Sequence, residues 1–224
     1  MENRPSEALV PTAPAAAASG SSPAAPSPLQ GIRLLDVSAG VGLVSIGAAS
    51  AGAIVTATDI PSQIPLLQSN VDAATDLIAS TSTGGSIRVA SLLWGTDAAS
   101  LRGPGEPAWD IGLLSDVLFI ALRDGLQAEL TATLTNLVLH CNAVMFGFEE
   151  RLIADETEFM VGLQSLLNVQ EYEWVEAKKE GMWPLVHCCY PLTRFIFQHC
   201  MSTRAFDAFP CAVTVCLYQL IQLY

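Results

Sequence analysis

Positive charge is scarce in this 224-residue chain: 10 lysines and arginines face 22 aspartates and glutamates, a formal net charge of −12. With a pI near 4.4, a nucleic-acid duplex or an anionic membrane is excluded as the main partner. A basic partner suits it, such as a lysine-bearing protein surface. Charged residues of all kinds are few (14%) and apolar ones make up 51%, so a globular core is expected. Long apolar runs are missing, and Ala212–Tyr224 is too short to span a bilayer, so stable membrane insertion is not expected. The opening residues lack a basic segment followed by an apolar one, and Glu2 and Glu7 stand against a transit peptide; a cytoplasmic or nuclear location is expected. The six cysteines (141, 188, 189, 200, 211, 216) lack C-x-x-C spacing and read as reduced thiols. His187, Cys188, Cys189, His199 and Cys200 match no common zinc finger, so no metal is expected. Residues 1–28, rich in Ala, Pro and Ser, lack the side chains for a core and are expected to form a flexible tail.

What the chain does have is centred on Leu34-Leu35-Asp36-Val37-Ser38-Ala39-Gly40-Val41-Gly42-Leu43. Leu34, Leu35 and Val37 suit a strand covered on both faces. Gly40 and Gly42 allow a sharp turn and close approach to a ligand. Leu43 to Ala51 then carries helical spacing, and such a helix aims its free N–H groups back at the loop. The dinucleotide fingerprint G-x-G-x-x-G fails, because Ser45 stands where its third glycine should be. The pattern acid-x-small-x-Gly-x-Gly (Asp36, Ser38, Gly40, Gly42) has the shape of an S-adenosylmethionine loop. An acid there suits a cofactor carrying an ammonium and a sulfonium, and little suits it beside a pyrophosphate. A second apolar strand, Ile54 to Asp59, ends in an acid 17 positions after Gly42, near the spacing at which a carboxylate takes ribose hydroxyls. Asp59 also fits as the N-cap of the following helix.

Further strands are expected over 87–92, 111–115, 143–148 and 169–175, with a last, antiparallel one over 185–194. Helices are expected between Pro61 and Ala79, over 122–139, and over 155–167 with Asp155 and Glu158 forming a capping box. Alternating strands and helices of these lengths give a Rossmann-like, doubly wound, mainly parallel α/β sheet. The domain is expected over 29–194. Residues 195–224 form an extension of unassigned role.

In these motifs the chain resembles the seven-strand, S-adenosylmethionine-dependent protein-lysine methyltransferases of the methyltransferase-like group. The motifs are Leu35–Val44, then Thr58-Asp59-Ile60-Pro61 with Leu66–Val71, then Leu93-Trp94-Gly95, and Ser115-Asp116-Val117-Leu118-Phe119 in place of D-x-x-Y. The resemblance implies a class I methyltransferase fold and S-adenosylmethionine as cofactor. It implies that Ser38, Ala39 and Gly40 contact the methionine end through backbone, that Asp59 holds the ribose, and that Asp36, Gly42 and Ile60 also belong to the cofactor site. Trp94 would flank adenine, and Ser115 would lie beside the cofactor. Asp116 and Phe119 would form the methyl-transfer mouth. Three departures stand out: Ser38 replaces a usual Gly, Phe119 replaces Tyr, and no Trp precedes Trp94.

The activity this implies is methyl transfer to a lysine of a protein substrate. The alternatives are a non-catalytic scaffold of the same fold or a small-molecule methyltransferase. Adenine or glutamine methylation is disfavoured, because Asn-Pro-Pro-Tyr/Phe is missing after the fourth strand. Glu149 and Arg151 read as a solvated pair.

Overall fold

In the computed structural model, the described residues are 27, 29–149, 151–167, 169–173 and 193–199. Seven strands form one sheet in the order β3-β2-β1-β4-β5-β7-β6. They are β1 (Arg33–Val37), β2 (Ile54–Asp59), β3 (Ser86–Ser91), β4 (Trp109–Ser115), β5 (Cys141–Glu149), β6 (Val169–Glu173) and β7 (Thr193–His199). The first five are parallel, and β7 runs antiparallel to both β5 and β6. This is the mainly parallel doubly wound sheet expected. The chain steps outward from β1 to β3, then returns to lay β4 on the other side of β1. That reversal opens a crevice at the carboxyl ends of β1 and β4, where ligands bind in open α/β sheets.

The pleat sorts the strand residues into two cores. Leu34, Val55, Ala57, Ile111, Leu113 and Met145 pack under α1 (Leu43–Ser50), α2 (Ile64–Ala73) and α3 (Thr75–Ser80). Leu35, Val37, Leu114, Val144 and Phe146 pack under α4 (Leu118–Asp124), α5 (Gln127–His140) and α6 (Ile153–Leu166). Burying such residues on both faces gives each strand its near-continuous apolar run, and each fully buried Leu contributes roughly 2 kcal/mol.

Several boundaries differ from expectation. The helix expected over 122–139 is two helices. Gly125, at φ 71, ends α4 in the left-handed conformation, so the chain turns before α5 begins. The segment after β2 is likewise split at Ala74. Asp155 does not cap α6, whose N-cap position is Leu152 without a side-chain bond. The buried acid Glu156 instead accepts from the backbone N–H of Arg151, just before the helix. The last strand is described over Thr193–His199 and runs five residues past the expected end at 194; residues 185–192 and 200–224 lie outside the described residues, as do 1–26.

Candidate active site

Ser38 to Gly42 connect β1 to α1 through a loop tied at several points. The Ala39 N–H donates to the Thr58 carbonyl at the end of β2, and the Gly42 N–H to the Ala39 carbonyl, both at 2.8 Å. The Asn70 side chain of α2 donates to the Val41 carbonyl at 2.9 Å. Ser38, Gly40 and Gly42 all have positive φ, at 63, 58 and 86. For Ser38 that conformation costs about 1–2 kcal/mol, which the surrounding bonds must offset. At Gly42 a side chain is excluded twice over: the backbone is left-handed, and a Cβ would lie 2.6 Å from Leu67 Cδ1. At Gly40 nothing stands within 4 Å of a Cβ position, so the loop opens outward there.

Asp59 bridges this loop to β2. One carboxylate oxygen accepts from the Gly40 N–H at 2.8 Å and the other from the Ile60 N–H at 2.7 Å. The expected capping role is not seen, because α2 begins only at Ile64 with Gln63 as its N-cap. A carboxylate offers about four acceptor sites, so these two bonds leave capacity for sugar hydroxyls. Ile60 itself is exposed.

Asp36 lies beneath the loop rather than on its open face. It shares the pleat face of Leu34, which turns it toward α1, and it accepts from the Ser45 hydroxyl at 2.6 Å. It is 1% exposed. Burial pushes its carboxyl up to about 6; the Ser45 bond opposes the rise and the Asp59 charge adds to it. A cation held over the loop would favour the charged form.

Trp94, half-buried, comes into the crevice from the turn after β3. Its indole N–H donates to the Ser38 hydroxyl at 2.8 Å. The Gly95 N–H donates to Thr133 Oγ1, which fixes the turn on α5. Across the switch point, Ser115 ends β4 half-buried, opposite Gly147 of β5. Asp116 follows at φ 55, with its N–H on the Gly147 carbonyl at 2.7 Å.

Asp116 and Phe119 are brought together by a residue set aside at the sequence level. Arg151 donates from Nη1 and Nη2 to the two carboxylate oxygens of Asp116 at 2.9 and 2.8 Å. Its guanidinium carbon lies 5.4 Å from the centre of the Phe119 ring. Besides the expected pair with Glu149, whose side chain lies outside the described residues, Arg151 thus has a partner 35 positions away. Glu156, which steadies the Arg151 backbone, was missed as well. Its only sequence signal is an acid in the first turn of a helix.

The donor set thus consists of two carboxylates under and beside a glycine loop, a serine hydroxyl, an indole, and a third carboxylate next to an aromatic ring. This chemistry fits a cationic nucleoside cofactor, not a pyrophosphate. Among the described residues no group of His, Cys, Asp and Glu is arranged to hold a metal ion. His187, Cys188, Cys189 and Cys200 lie outside those residues. Among the described residues no helix is long and apolar enough to cross a membrane.

Several known proteins are similar to this chain in sequence or in fold. The mouse (Mus musculus) protein EEF1A lysine methyltransferase 3 is 34% identical over 91 residues, which are 41% of this chain and 35% of that protein. The match thus spans about a third of the length of that relative. Among solved structures, the delta-N METTL16 MTase domain superposes with a TM-score of 0.50 at 10% identity, over 77% of this chain and 74% of that one. The magnesium protoporphyrin IX methyltransferase ChlM of Synechocystis PCC 6803, solved with bound SAM, gives a TM-score of 0.48 at 16% identity, over 76% and 71% of the two chains. The pattern defining a family described as lysine methyltransferase matches residues 16–166, which include the glycine loop, Asp59, Trp94 and Asp116. That match takes in well over half of the sequence, and the chain belongs to the lysine methyltransferase family.

Proposed function

We infer that the protein transfers a methyl group from S-adenosylmethionine to the side-chain amine of a lysine in a protein substrate. The observation that carries this reading is the Asp59–Gly40 bridge. It sets the Asp59 carboxylate against an open glycine loop at the sheet's switch point, which supports reading Asp59 as the acid that takes the sugar hydroxyls. When bound, S-adenosylmethionine supplies an activated methyl group on a sulfonium.

The chain's own residues would bind and orient. Ser38, Ala39, Gly40 and Gly42 form the cradle for the methionine end, and Asp36 acts on it through its charge from below. Asp59 holds the ribose hydroxyls, with Ile60 beside it. The Trp94 ring offers a flat face for adenine. Ser115 borders the cofactor, and Asp116 and Phe119 border the incoming amine. In-line transfer needs orientation and exclusion of water more than covalent chemistry. Asp116 can hold the lysine ammonium and take up the proton it must lose before attack.

The acceptor would be a protein with an accessible lysine on a basic surface, as the net charge of −12 favours. A cytoplasmic or nuclear location fits the free thiol of Cys141. Calorimetry with S-adenosylmethionine tests the reading. Wild type should bind, and D59A should lose at least about tenfold in affinity, the worth of one or two charge-assisted hydrogen bonds. Labelled-methyl transfer into a cell lysate should disappear on protease treatment. No binding by a folded wild-type protein would leave a scaffold, and a protease-resistant product would point to a small-molecule acceptor.

A further inference from the structure

The contact between Asp116 and Arg151 has a meaning of its own. A carboxylate set beside an aromatic face is a site for an alkylammonium. Asp116 and Phe119 make such a site, and it is filled by the protein's own guanidinium. Arg151 spans both oxygens of Asp116 at 2.9 and 2.8 Å, and it lies over the ring of Phe119 at 5.4 Å.

The placement is built into the fold. The Arg151 backbone N–H donates to both oxygens of Glu156, at 3.1 and 3.2 Å, and Glu156 is itself 2% exposed. A second guanidinium near the ring, Arg123 at 5.9 Å, donates through Nε and Nη2 to its neighbour Asp124, at 2.6 and 2.8 Å. The pair remains reachable from solvent, with Arg151 and Asp116 side chains 35% and 46% exposed.

We propose that Arg151 is an internal occupant of the acceptor site. Its guanidinium holds the carboxylate and the aromatic face that an incoming lysine ammonium takes, and the acceptor must displace it. Arg151 thereby weakens the entry of every acceptor amine, because each must first break a two-pronged ion pair. The proposal rests on reading Asp116 and Phe119 as the acceptor mouth.

The test is an NMR titration of the full chain with n-butylammonium chloride, using potassium chloride as the ionic-strength control and the Phe119 ring resonances as the readout. R151A and R151M should bind butylammonium more tightly than wild type, by on the order of two- to fivefold for an exposed pair. R151M keeps most of the side-chain stem, and it carries the comparison if R151A does not fold. Equal or weaker binding by the folded variants overturns the proposal. With S-adenosylmethionine and poly-L-lysine, R151M should show a lower KM and an undiminished kcat. A raised KM makes Arg151 part of the acceptor's grip and also overturns the proposal. Calorimetry with S-adenosylmethionine on the same samples keeps the two readings apart. If no variant binds cofactor, the enzymatic reading falls, while the butylammonium result still decides whether Arg151 occupies the cation site.

Discussion

The indole N–H of Trp94 donates to the hydroxyl of Ser38 at 2.8 Å, across 56 positions of sequence. Ser38 holds this position with a left-handed backbone, at φ 63. The Cβ makes the position strained, and the hydroxyl it carries makes the position useful, because that hydroxyl fixes the ring proposed to face adenine.

Two substitutions separate these effects. S38A keeps the strained backbone and loses the acceptor, and S38G relieves the strain and loses the acceptor. A left-handed non-Gly residue costs about 1–2 kcal/mol, and the extra unfolded-state freedom of Gly costs about 0.4–1 kcal/mol. S38G should therefore be more stable than S38A in urea denaturation, by roughly 0.5–1 kcal/mol. At an ordinary position the order would be reversed, and finding that reversed order here would remove the strain argument. Both variants should release Trp94, seen as a change in its emission.

The two loop glycines differ in what surrounds them. G42A meets a fully buried Leu67 as well as a left-handed backbone, and should cost about 2–4 kcal/mol. G40A meets open space and should cost only about 1–2 kcal/mol. Thermal melts of the two variants should place G42A clearly lower. Equal melts would mean that α2 yields to the added methyl.

Asp36 gives stability a pH dependence of unusual sign. Its carboxyl is raised in the folded chain from 3.8 to about 6, so the native state binds that proton more tightly than the unfolded state does. Its contribution is complete below about pH 4 and is lost as pH rises through about 6. The loss is on the order of 3 kcal/mol by pH 7. D36N has no such proton, so its stability relative to wild type should improve steadily between pH 4 and pH 7. Urea midpoints at each pH measure this. Parallel wild-type and D36N profiles would show that Asp36 is already ionised in the fold.

Cys141 lies under Gly112, whose Cβ position is 2.9 Å from the sulfur. Burial pushes the thiol up to about 12, with the Arg102 charge opposing and the Asp110 charge adding. Its thiolate population should fall by on the order of a thousandfold at pH 8, and reaction with iodoacetamide should fall with it. Peptide mass spectrometry should find Cys141 unlabelled in the native protein and labelled after unfolding. Rapid native labelling would mean that β5 opens readily.

What was readable in the sequence was local. The apolar run of Leu34, Leu35 and Val37 announces a strand buried on both faces, and the glycines at 40 and 42 announce a turn that only small residues can make. The distance from Gly42 to Asp59 is set by one helix and one strand, so it could be counted along the chain. Where local signals are ambiguous, the sequence is a poorer guide: Gly125 falls inside the single helix expected over 122–139, and the expected capping box of Asp155 and Glu158 leaves out Glu156, because capping rules do not say which acid faces inward.

The sequence by itself determined the doubly wound order of elements, the glycine loop and the acid at the end of β2, because backbone sterics and apolar periodicity act over a few residues. Only the tertiary structure decided that Ser38 holds Trp94, that Asp59 grips Gly40, and that Asp116 faces Arg151 and not a free crevice. Those pairs join separate strands and loops, and their meeting depends on strand register and crossover geometry, which the whole sheet sets at once.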